Sequence, residues 1–64
     1  MSMIDVLTEL GQLWELAEVT QVKLAMRHHK TGSTWLLLAS RGLVRAMDEF
    51  RAAARLVEEY EKND

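Results

Sequence analysis

One run of apolar residues limits what this chain can become. Leu36, Ala39, Leu43, Ala46, Phe50, Ala53, Val57 and Tyr60 recur at alternating steps of three and four. A seam of that kind demands a long α-helix laid along another helix. Large side chains hold one of its two positions and alanine most of the other, which lets two helix axes come close. The pattern carries packing information and no chemistry.

Little interrupts the helical reading. There is no proline, and glycine occurs three times in 64 residues. The break falls at Lys30-Thr31-Gly32-Ser33. Gly32 suits the left-handed position just past a helix end, and Ser33 or Thr34 suits the N-cap of the next helix. The spacing predicts a helix over about 3–29, a turn over about 30–33 and a helix over about 34–61. So short a connection joins antiparallel neighbours. The expected fold is all-α, an antiparallel hairpin of two helices about 40 Å long, with residues 1–64 as a single domain.

The first helix has its own start signal. Ser2-Met3-Ile4-Asp5 has the form of a capping box, with Asp5 in place of the usual Glu. On a helical wheel Met3, Val6, Leu7, Leu10, Leu13, Trp14, Ala17, Leu24 and Ala25 share a broad face. Asp5, Glu9, Gln12, Lys23 and Arg27 lie opposite. A narrower strip of Ile4, Val19, Val22 and Met26 lies to one flank. Folding the chain about Gly32 predicts paired positions that total about 63 or 64, to within about one turn. The expected hairpin seam is then Leu7, Leu10, Trp14, Ala17, Gln21 and Leu24 against Ala39, Leu43, Ala46, Phe50, Ala53 and Val57. Trp14 would meet Phe50, Leu10 would meet Ala53, and Leu24 would meet Ala39. Gln21 would fall near Gly42 as a polar contact that fixes register.

A chain this short sits near the lower limit for a self-sufficient core. It has no cysteine, so neither a disulfide nor a thiolate metal site supplements the packing. Yet each helix carries more apolar surface than one stripe of contact covers. The excess is Leu13, Leu16, Val19, Val22 and Met26 on the first helix. On the second it is Leu37, Leu38, Val44, Met47 and Leu56. These residues form the expected oligomer interface. A homodimer building a four-helix bundle covers most of them; a tetramer or a complex with another protein are the alternatives.

Charge is unevenly distributed. Residues 1–20 hold Asp5, Glu9, Glu15 and Glu18 and no base. Residues 21–45 hold Lys23, Arg27, Lys30, Arg41 and Arg45, with His28 and His29, and no acid. The remainder is mixed but acidic, and the net charge is −2. A hairpin therefore has a basic tip and an acidic open end. In the first helix this agrees with the helix dipole; in the second it runs against it. Two readings follow. Antiparallel dimerisation would set each basic tip beside the partner's acidic ends. Alternatively the tip, with Arg27, His28, His29, Lys30, Ser33, Arg41 and Arg45, would bind an anion such as a phosphate or an acidic protein surface.

No residue pattern points to catalysis. Adjacent helical residues point about 100° apart, so His28 and His29 do not chelate one ion together. His28 is expected on the seam near Trp35, and Trp35 is expected to cap the core. Ser40 and Thr20 have no placed base, and there is no phosphate loop. The reading is a non-enzymatic protein without metal or cofactor. The longest uncharged stretch, Thr31 to Ser40, is about half a membrane span. No targeting signal is read at the N-terminus, where Asp5 and Glu9 come first. The expectation is a soluble, cytoplasmic chain.

In architecture and length the chain resembles the Rop type, the small RNA-binding helical-hairpin dimers that regulate plasmid copy number. The resemblance is of shape, without a shared motif. It implies an alternative function, RNA or DNA binding by a hairpin dimer through the basic tip. Here the bases of the first helix, Lys23, Arg27 and Lys30, are confined to one end. Small secreted two-helix proteins with a Trp-x-Gly turn differ at that turn, which reads Gly32-Ser33-Thr34-Trp35. The leading expectation is a small homo-oligomeric helical protein acting through protein–protein interaction, as a regulator, inhibitor or assembly subunit.

Overall fold

The computed structural model describes residues 3–63. Two helices, α1 (Met3–Thr31) and α2 (Thr34–Asn63), pack against each other as an antiparallel hairpin measuring 50 × 14 × 11 Å. The expected capping box rests on Ser2, which lies outside the described residues, as do Met1 and Asp64.

The turn is compact because its backbone groups are used locally. The Gly32 amide donates to the His28 carbonyl at 2.7 Å, and Gly32 has φ 69°. This is the left-handed cap that closes α1, and a side chain in that backbone region costs about 1–2 kcal/mol. The Thr31 hydroxyl donates to the Arg27 carbonyl at 2.9 Å and accepts from the Ser33 amide at 3.2 Å. Helical hydrogen bonding thus runs up to the glycine, and α1 extends through Thr31. The Ser33 carbonyl takes the first helical bond of α2, from the Leu37 amide at 3.3 Å. It also lies 2.7 Å from His28 Nδ1. A carbonyl only accepts, so His28 carries its proton on Nδ1 and straps the end of α1 to the start of α2.

The core is thin. Among the described residues Ala17 and Ser40 are the buried ones, at 7% and 5% exposure, and no large side chain is fully enclosed. Around them the α1 side of the seam is Leu7, Leu10, Trp14, Gln21, Leu24 and His28, all half-buried. Gln21 Nε2 donates to Ser40 Oγ at 2.9 Å across the interface. A glutamine amide needs a partner where water is scarce, and a serine hydroxyl at the same level supplies one.

That bond sets a register within the expected turn and a rotation of α2 that differs from the expected one. Residues 21 and 40 are paired, and so are 28 and 33, so paired positions total 61 rather than 63 or 64. Gln21 meets Ser40, not the neighbourhood of Gly42. On α2 the seam runs through Leu36, Ser40, Leu43, Met47, Phe50, Ala54 and Val57. Ala39 is exposed and does not pack as a seam residue. Ala46 and Ala53 are half-buried on the flank, and Tyr60 is exposed. α2 carries apolar residues on several sides, so periodicity alone leaves its rotation open; burial of Ser40 opposite Gln21 decides it. Leu37 and Met47, expected on the outer surface, are half-buried for the same reason. Trp35 does not cap the core: it is 82% exposed, with Leu36 and Leu37 half-buried behind it. His28 meets Ser33 and not Trp35.

If this hydrogen bond fixes register, Gln21 and Ser40 are energetically coupled. A double-mutant cycle on Gln21→Leu and Ser40→Ala, read by urea unfolding, is expected to give about 1 kcal/mol of coupling. Additive single effects would show that the pair does not act as a unit.

Candidate interaction surface

The side chains that remain uncovered define what this molecule can do. On α1, Leu13, Leu16, Val19, Val22 and Met26 are all exposed, Leu16 at 65% and Met26 at 61%. On α2, Leu38, Val44 and Leu56 are exposed. At about 100° per residue, Val19 and Met26 lie on the side of α1 facing away from Ala17. Leu13 lies on one flank and Val22 on the other. Leu38 and Leu56 lie on the side of α2 away from α1, with Val44 on a flank. The apolar surface therefore extends around the hairpin rather than forming a single strip.

Near the open end, Trp14 and Phe50 line a shallow hollow with Leu7, Leu10, Gly11, Arg51, Ala54 and Glu58. Trp14 and Phe50, expected to face each other, line the same hollow. Side chains on a helix lean towards its N-terminus, so Trp14 reaches past its own level towards the C-terminal half of α2. The Arg51 guanidinium carbon sits 5.4 Å from the centroid of the Trp14 ring. A cation over an indole face contributes about 0.5–1 kcal/mol when solvated. Sequence reasoning passed over Arg51, whose signal was its level beside an aromatic seam residue on the facing helix.

The basic tip divides into two parts. Lys23, Met26, Arg27 and Lys30 line one hollow, and His29 and Lys30 contribute to a neighbouring one with Gln21, Val22, Ala25 and Met26. Arg41 and Arg45 are exposed on α2. His28 and Ser33 turn inward instead: His28 Nδ1 is engaged by the Ser33 carbonyl, and the Ser33 amide by Thr31. Of the tip residues, the solvent-facing group is thus Arg27, His29, Lys30, Arg41 and Arg45. Among the described residues no group of three or more His, Asp or Glu side chains converges as a metal site. No helix among them is long and apolar enough to cross a membrane.

Total exposure expresses the same imbalance. The chain presents 5265 Å² to solvent. A compact monomer of 7.4 kDa presents about 4,200 Å². The excess, about 1,000 Å², exceeds the ~800 Å² that one partner buries in a standard protein–protein interface.

The outer stripe of α1 offers a direct check. On an uncovered surface, Leu16→Ser would change stability by no more than about 0.5 kcal/mol. On a covered one the loss reaches about 2 kcal/mol or more. The larger loss is expected in urea unfolding at tens of micromolar protein; a near-neutral result would mean that this stripe stays in water.

No protein-family model, no curated protein and no solved structure matches this chain.

Proposed function

We propose that this chain is a small non-enzymatic helical protein that acts by protein–protein association, working as a homo-oligomer in a regulatory, inhibitory or assembly role. The observation that carries the reading is the unclosed core: one buried alanine and one buried serine among the described residues, against roughly 1,000 Å² of surface beyond that of a compact monomer. A second hairpin covers such a surface by completing a four-helix bundle. Closed two-fold assembly is the commonest way for identical chains to do so. In this reading the aqueous, cytoplasm-like setting is the working environment, and no cofactor takes part.

A second reading has one observation in its favour. Lys23, Arg27 and Lys30 converge on one hollow at the tip, with Arg41 and Arg45 exposed on α2. Three bases on one hollow suit a phosphate-bearing polymer, and binding of that kind falls steeply with salt. The opposing feature is the acidic half of the same molecule, which shortens any nucleic-acid footprint.

Sedimentation equilibrium over a thousandfold concentration range separates these readings from each other and from failure. A dimer or tetramer that persists on dilution is expected; a monomer throughout would contradict self-association. Arg27→Glu with Lys30→Glu is expected to change assembly strength. If those substitutions instead abolish a salt-sensitive shift with RNA or DNA and leave assembly unchanged, the second reading replaces the first.

A further inference from the structure

The hairpin has two broad sides, and they differ. Because α1 and α2 are antiparallel, the same rotational sense from the seam, seen from each helix's own N-terminus, leads to the same broad side on both. The anticlockwise side carries Leu13, Leu16 and Thr20 from α1, with Glu9 towards the open end and Lys23, Arg27 and Lys30 towards the tip, and Ala39, Ala46 and Ala53 from α2, with Trp35 and Tyr60 at its two ends. The clockwise side carries the hollow lined by Gly11, Arg51 and Glu58, and beyond it Asp48 and Arg55 on α2. One side thus joins an apolar middle to an acid at the open end and three bases at the tip; the other interleaves both signs of charge along α2.

We infer that a second copy of this chain docks on the Leu13–Ala46 side, with the two hairpins pointing in opposite directions. This rests on the self-association proposed above and adds the face and the orientation.

Area supports docking by a broad side. A side of 50 × 14 Å offers about 700 Å² per copy, or about 1,400 Å² for the pair, within the range of stable interfaces. One helix laid on one helix offers much less. Along α2 the half-buried Ala46 and Ala53 and the exposed Ala39 put small side chains between Trp35 and Tyr60, opposite which a partner's Leu13 and Leu16 can pack.

Charge supports the orientation. Within one hairpin, bases lie beside bases at the tip and acids beside acids at the open end. A copy pointing the same way would stack basic tip on basic tip. A copy pointing the opposite way sets Lys23 and Arg27 near the level of its partner's Glu9, on the same broad side. These groups act through a screened field and not as buried pairs, so they choose orientation more than they add affinity.

Two measurements on the intact chain test this. The protein has no cysteine, so His29→Cys, exposed at the tip and away from the proposed face, accepts a single spin label. The inter-copy distance is expected at about 45 Å or more, close to the hairpin's 50 Å length; a distance near 20 Å would overturn the orientation. Ala39→Glu, which is exposed and leaves the α1–α2 seam intact, is expected to raise the dimer dissociation constant at least about tenfold. Arg55→Ala on the other side is expected to change it less than about twofold. If the native chain is dimeric and Ala39→Glu leaves it so, the proposed face is wrong while self-association stands. If the native chain is monomeric at every concentration, both fail.

Discussion

Two helices meet along one line, and everything else in this molecule follows from that limit. A single line of contact encloses very few side chains: here Ala17 and Ser40 are buried and their neighbours are half-covered. The hydrophobic effect scales with area removed from water, so half-covered leucines deliver only part of their stabilisation. Backbone ordering carries its full entropic cost regardless of how much is buried. A hairpin of this size is accordingly marginal until something covers its sides.

Within that limit, specificity is local and polar. The Gln21–Ser40 hydrogen bond gives the seam a unique level, which leucine and alanine contacts alone do not. The turn is fixed by Gly32, by the Thr31 hydroxyl and by the His28–Ser33 strap. These contacts lie in the tip half, where the basic side chains also gather. The open end relies on Trp14, Phe50 and the Arg51 guanidinium over the indole. The molecule is thus well specified at one end and rich in exposed apolar side chains along its sides.

Much of this was legible in the residues. The two helices, the break at Gly32 and the α1 side of the seam follow from periodicity, because α1 has one dominant apolar face near the turn partner. On α2, Leu43, Phe50 and Val57 followed as well, but the alanine positions did not. Its alanines read as a packing position and Ser40 as a polar one, yet the structure buries the serine and exposes Ala39. Hydrophobic patterning scores residues singly, whereas a serine becomes a good seam residue only when a glutamine stands opposite. The same blindness misplaced Trp35, whose size suggested a core cap while Leu36 and Leu37 took the inner positions. The candidate surface was legible as an excess of leucine, valine and methionine. Its division into two unlike broad sides required the observed rotation of α2.

The central claim is that this hairpin completes its fold by association. Its most direct test is the melting temperature, followed by far-ultraviolet circular dichroism, as a function of protein concentration. Coupled folding and association predicts a midpoint that rises by about 3–6 °C for each tenfold increase in concentration. A cooperative transition whose midpoint does not move between one micromolar and one millimolar, orders of magnitude apart, would contradict it: the two-helix unit would then be stable alone.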